Sequence, residues 1–170
     1  HLFGYDGTPF DLPTTYSDIL RFTAIGEYLI LAHESGQVQA LQNGHTVWSR
    51  PIRGETGESI TCLGSDVNHH LVIGREGYAL VSGDEEVLEI EIWDLKQQVL
   101  VHRDDVKSQL LHAIPSNEGL YCGFADGHVT EYLPGQSSYT SEPRISCTYP
   151  IQKLLCRNGC FSSTSWVYID

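Results

Sequence analysis

Short apolar runs recur in groups of four along this 170-residue chain, and their spacing limits the fold more than any other feature. The first run of each group starts at Ile19, Ile60, Leu110 and Ile151, at intervals of 41, 50 and 41 residues. In group one, Ile19 to Ala24, Tyr28 to Ala32, Gln37 to Leu41 and Thr46 to Ser49 are separated by Glu34-Ser35-Gly36 and by Asn43-Gly44, a strong hairpin turn signal. Group two runs from Ile60 to His102 and group three from Leu110 to a weak fourth run near Ser138 to Thr140. Group four holds Ile151 to Leu155, Cys160 to Ser163 and Trp166 to Asp170, and stops after its third run. No segment has a capped helical period, so the chain reads as all-β.

The most regular stretch is Glu89-Ile90-Glu91-Ile92-Trp93-Asp94-Leu95. Its strict alternation predicts a strand with Ile90 and Ile92 on a core face and Glu89 and Glu91 on the other, turning at Lys96-Gln97-Gln98 into Val99-Leu100-Val101. A hairpin with one buried face is expected. The long interval leaves about nine extra residues in group two, and Arg75 to Leu88, with Gly77, Gly83 and the acidic run Asp84-Glu85-Glu86, reads as an insertion between its second and third strands. Four strands every 40 to 45 residues, roughly, is the signature of β-propeller blades. The sequence therefore predicts four-stranded antiparallel blades at 19-56, 57-106, 107-144 and 145-170, about four in all with the last incomplete. Residues 1-18 read as a hairpin-like lead that could serve as the outer strand of a flanking or closing blade.

The motifs resemble those of the WD40-repeat family. Trp93-Asp94 matches its Trp-Asp position, Asp126-Gly127 its turn between second and third strands, and Trp166 with Asp170 a third strand ending in Asp. The Gly-His pair expected before a first strand is absent, and other copies have Ala40-Leu41 or Tyr132-Leu133 where Trp-Asp would stand. Such propellers usually close a seven-blade ring, so the resemblance implies a segment of a larger propeller, completed by blades from the same or another chain. A rival resemblance, to quinoprotein-like propellers, rests on Gly36, Ala40-Leu41 and Trp48 and implies a cofactor or ligand in the central channel.

Composition excludes several function classes. With 10 basic and 22 acidic residues the net charge is -12, which disfavours direct nucleic-acid contact. No apolar run has the roughly 20 residues that span a bilayer. The five cysteines, Cys62, Cys122, Cys147, Cys156 and Cys160, are scattered and odd in number. Cys156 and Cys160 could bracket a hairpin as a disulfide or give half a zinc site, but no second ligand pair completes four positions, so reduced thiols in an intracellular setting, cytoplasmic or nuclear, are expected.

Catalytic signals are thin. Adjacent His69 and His70 point to opposite faces of a strand and read as a polar turn, and His33, Glu34 and Ser35 read as a turn and not a triad. No phosphate loop or nucleophile elbow is present. Trp48, Trp93 and Trp166 read as core between blades. The resemblance thus implies a non-catalytic protein-interaction scaffold without metal or cofactor, a subunit of a multiprotein complex. Asp84, Glu85 and Glu86, with Glu89 and Glu91 behind them, form the candidate contact for a partner with a basic surface.

Overall fold

A computed structural model describes residues 18–51, 56–79, 85–151, 153–156, 162–163 and 166–169. Every regular element among them is a strand: β1 (Ile19–Ile25), β2 (Tyr28–His33), β3 (Val38–Gln42), β4 (His45–Ser49), β5 (Thr56–Ser65), β6 (Leu71–Ala79), β7 (Glu85–Asp94), β8 (Val99–Asp105), β9 (Leu110–Pro115), β10 (Leu120–Phe124), β11 (His128–Pro134), β12 (Tyr139–Ser146), β13 (Lys153–Cys156), β14 (Ser162–Ser163) and β15 (Trp166–Ile169). The first twelve make three four-stranded antiparallel meanders, β1 to β4, β5 to β8 and β9 to β12. Tight turns set each register. Asn43 and Gly44 both take positive φ, as a two-residue hairpin turn requires.

The first strands of successive sheets are neighbours, and a side chain bonds across each pair. Arg21 Nε donates to the Ile60 carbonyl at 3.0 Å, and Thr61 Oγ1 to the Leu110 carbonyl at 2.8 Å. At the next step His112 Nδ1 accepts from the Leu154 amide at 3.0 Å. The sheets therefore radiate from an inner line of first strands and stack face against face. Each seam has its own core. Ile30, Ala32, Val38 and Ala40 meet Leu71, Ile73 and Trp93 between sheets one and two, and Val72, Ile90 and Ile92 meet Leu110, Leu120 and Cys122 between two and three. Tyr121 and Val129 meet Ile151 and Leu154 beyond sheet three. Alternate residues of one strand, Ile73 and Val72, thus serve opposite seams, and each fully buried aliphatic side chain contributes about 1.5–3 kcal/mol.

This stacking corrects the expectation of one buried face for β7. Glu89 is 4% exposed and Glu91 0% exposed, so both faces of the strand are covered. Alternation assigns the sides correctly, but in stacked sheets the second side meets a neighbour instead of water.

Two further differences follow from side-chain chemistry. The weak fourth run near Ser138 to Thr140 is an eight-residue outer strand, β12, whose exposed, polar residues carry no apolar alternation to announce it. In the last group β15 lies in the centre, parallel to β13 and antiparallel to β14, and not in meander order. β14 is only Ser162–Ser163, whereas Trp-Val-Tyr-Ile is rich in strand-favouring residues and takes the central position. Residues 1-17 lie outside the described residues.

Candidate partner-binding face

The extra residues of group two lengthen a hairpin. β6 has 9 residues and β7 has 10, paired from Leu71↔Trp93 to Ala79↔Glu85, whereas β2 and β3 have 6 and 5. The hairpin outruns its counterparts at the end of the sheets where second strands turn into third strands. Of the acidic run, Glu86 is exposed and pairs across the ladder with Tyr78, and Glu85 pairs with Ala79. Asp84 lies outside the described residues. Glu85 and Glu86 thus belong to the paired strand and not to a free loop.

Glu89 and Glu91 do not extend this exposed charge. Arg50, on the segment leaving β4, sends Nε to Glu91 Oε2 at 2.7 Å and Nη2 to Glu91 Oε1 at 2.9 Å, and also bonds Glu58. Arg75 Nε donates to Glu58 Oε1 at 3.0 Å and pairs with Glu89. Trp93 Nε1 donates to Glu91 Oε2 at 2.9 Å, and Arg103 Nη2 lies 3.6 Å from Glu91 Oε1. Two buried guanidinium groups, with the exposed Arg103 at the edge, balance three carboxylates in the seam between sheets one and two. Burial would raise the Glu91 carboxyl, but the bonds and charge of Arg50 outweigh it and hold the group below its ordinary range. Burial likewise opposes the charge on Arg50, and Glu91 and Glu58 outweigh that too.

Beside the long hairpin, at the same end, an open groove of about 420 Å³ lies between sheets two and three. Lys107 and Ser108 on one side face Phe124, Asp126 and His128 on the other. The turn at Asp126-Gly127 shapes its rim. Asp126 Oδ1 accepts from the His128 amide at 3.1 Å, the Asp126 amide donates to Ser108 Oγ at 3.0 Å, and Gly127 takes φ 88°. Deeper in, Tyr132 donates to Asp104 Oδ2 at 2.9 Å, and His102 packs its ring against Tyr132 and Tyr139. Burial lowers the His102 imidazole below its ordinary value, and the Asp104 charge offsets this in part.

The remaining residues singled out in the sequence have structural duties. Asp94 Oδ1 caps its turn, accepting from the Lys96 amide at 2.9 Å and the Gln97 amide at 3.0 Å. Trp48 and Trp93 meet across the first seam with ring centroids 5.2 Å apart. Trp166 contributes backbone to β15, and its side chain lies outside the described residues, as does Asp170. His33 is buried, held by Asp18 at 3.1 Å and Gln39 at 3.2 Å. Cys62 and Cys122 are buried free thiols, and burial pushes Cys62 up to about 12. Cys160 lies outside the described residues.

One cluster escaped the sequence reading. Asp66, 0% exposed, accepts from the amides of Asn68 at 2.9 Å and His70 at 2.8 Å, from His70 Nδ1 at 3.0 Å, and from the Tyr139 hydroxyl of sheet three. His69 and His70 belong to this turn between β5 and β6. The backbone bends there, with His69 at φ 62°. The signal available in sequence was only an Asp four residues ahead of a His. Among the described residues no three His, Cys, Asp or Glu side chains converge as a metal shell.

No protein-family model matches the chain, and no curated protein sequence does. Solved structures do. Sqt1 of Saccharomyces cerevisiae superposes with a TM-score of 0.59 at 13% identity over 79% of this chain and 36% of its own. BamB of Moraxella catarrhalis gives 0.56 at 16% identity over 81% and 38%. The WD40 domain of Neurospora crassa Pan2 gives 0.53 at 14% identity over 84% and 40%. The chain therefore spans well under half the length of each of these structures. At such identities the likeness establishes the fold, which is that of β-propeller blades.

Proposed function

We propose that this chain is the blade-bearing part of a non-catalytic interaction scaffold, with its partners engaged at the end where the β6–β7 hairpin projects. The observation that carries the reading is that hairpin, which is longer than its counterparts, acidic at its outer part, and set beside the groove rimmed by Asp126, His128 and Lys107. Rigid sheets presenting an irregular, exposed edge are where binding concentrates. Glu86, Asp105 and Asp126 give that end a negative field, which favours a basic protein surface. Leu20 and Phe22, 51% and 62% exposed on the inner strand, fit the further reading that other blades complete the ring. Free thiols at Cys62, Cys122 and Cys147 accord with a reducing intracellular compartment.

Fluorescence anisotropy with a labelled Lys-rich peptide tests the reading. Reversing Glu85 and Glu86 to Lys is expected to weaken binding about five- to thirtyfold, the effect of about 1–2 kcal/mol from two rim charges, and to leave thermal unfolding unchanged. Equal binding by both proteins, or a stoichiometric cofactor found by mass analysis of the purified chain, would overturn it.

A further inference from the structure

A second cavity, of about 260 Å³, opens at the opposite end of the sheets, between the turn after β1 and the turns before β6 and after β7. We infer that it receives the guanidinium of an arginine side chain presented by a protein partner. The inference rests on the scaffold reading and gives it a second, chemically defined contact.

Three features support it. The buried carboxylate of Asp66 holds His70 through Nδ1, at 3.0 Å, and also ties the His70 amide at 2.8 Å. With Nδ1 turned to Asp66, Nε2 is the ring nitrogen on the other side. That nitrogen lies 3.8 Å from Asp94 Oδ2, the oxygen left over after Oδ1 has capped the turn. Asp94 Oδ2 and the carboxylate of Glu27 therefore supply two acceptors at the cavity wall, beside a turn locked by backbone bonds. A planar guanidinium offers parallel N–H donors that can serve both at once, whereas the compact ammonium of lysine is a point charge without that fork.

The walls fit the rest of such a side chain. Ile25 and Leu95 are buried core residues whose outer surfaces line the cavity, and Tyr28 adds a ring, so a methylene stem and a flat cation both find contact. Exposed Glu27 adds a second carboxylate and Lys96 a single opposing ammonium, leaving the rim net negative.

Titration of the intact chain with N-acetyl-arginine amide, followed through the His70 ring nitrogens by NMR, tests this directly. Saturable movement of Nε2 is expected, with none for the citrulline analogue, which has the same shape and no charge. Asp94→Asn keeps an oxygen for the turn cap and is expected to weaken binding about tenfold. Two exposed substitutions act in opposite directions without threatening the fold: Glu27→Gln weakens binding and Lys96→Glu strengthens it, each about threefold. An unmoved His70, equal response to citrulline, or Asp94→Asn binding like the parent would overturn the inference. The Lys-rich peptide titration reads the other end of the sheets, so its success beside a silent His70 would sink this site alone, and its failure beside a responsive His70 would sink only the hairpin contact.

Discussion

Arg50 is the residue on which the first seam depends, because it is buried against the fully buried carboxylate of Glu91 and the largely buried one of Glu58. Glu91 accepts two of its bonds and Glu58 a third, and Trp93 spends its indole N–H on the same Glu91. Such a cluster adds little over a well-packed apolar one, but removal of Arg50 leaves the buried carboxylates short of compensating charge. Arg50→Met is accordingly expected to cost about 3–5 kcal/mol in urea unfolding, and adding Glu91→Gln to recover part of that loss. The recovery distinguishes charge burial from lost packing, since packing losses would simply add. The same pair sets a pH dependence. The folded carboxyl of Glu91 lies below its ordinary value, so its stabilising contribution is complete above the ordinary Glu range and drains away as pH falls through the lower folded value. Unfolding midpoints measured downward from neutral pH should fall less steeply in the double variant than in the parent.

At the scale of elements, the turns decide where each sheet ends, and two glycines separate the reasons. Gly127 sits at φ 88°, and a Cβ there would stand 2.1 Å from the Cys147 carbonyl oxygen. Gly26 sits at φ 57° with nothing within 4 Å. Gly127→Ala is therefore expected to lower stability by about 3 kcal/mol, strain and collision together, and Gly26→Ala by about 1 kcal/mol, from the backbone alone. Thermal unfolding of the two variants checks the ranking, and equal losses would mean that the Cys147 approach relaxes freely. The Asp126-Gly127 turn was legible in the sequence because turn chemistry is local. So were Trp93-Asp94 and the alternation around them, since side chains on a strand change face at every residue. The burial of Glu89 and Glu91 was not legible. Their compensating charges are Arg50, 41 residues away from Glu91, and Arg75, 14 away from Glu89, and no local pattern links them. The Asp66, His70 and Tyr139 cluster stayed hidden for the same reason, as Tyr139 arrives 73 residues later on an outer strand with no apolar period.

Among the described residues the sheets form a row in which each seam core joins two neighbours. The three seam cores share no residue: sheet two shows Leu71, Ile73 and Trp93 to sheet one, and Val72, Ile90 and Ile92 to sheet three. Stability in such an array is close to a sum of sheet terms and nearest-neighbour seam terms, so damage at one seam acts first on the sheets that share it. Arg50→Met breaks the seam between sheets one and two. Under native conditions, hydrogen exchange should then lose protection in β2 and β3 by the full cost of the substitution, because sheet one loses its cover from sheet two. Amides of β10 and β11 pack instead against Val72, Ile90 and Ile92, and their seam is untouched. They should lose protection only so far as sheet two itself opens. A graded loss, largest in sheet one and smallest in sheet three, is the expected result. Equal loss at every strand would mean that the sheets unfold as one unit and that coupling across the second seam exceeds the stability of any single sheet. The comparison also bears on recognition, because the hairpin and the arginine cavity both draw on sheet two, the only sheet among the first three whose two faces are both closed by another four-stranded sheet. The hairpin placed there keeps its geometry while the flanking sheets fray, whereas the cavity also needs Ile25 to Tyr28 of sheet one and opens with it.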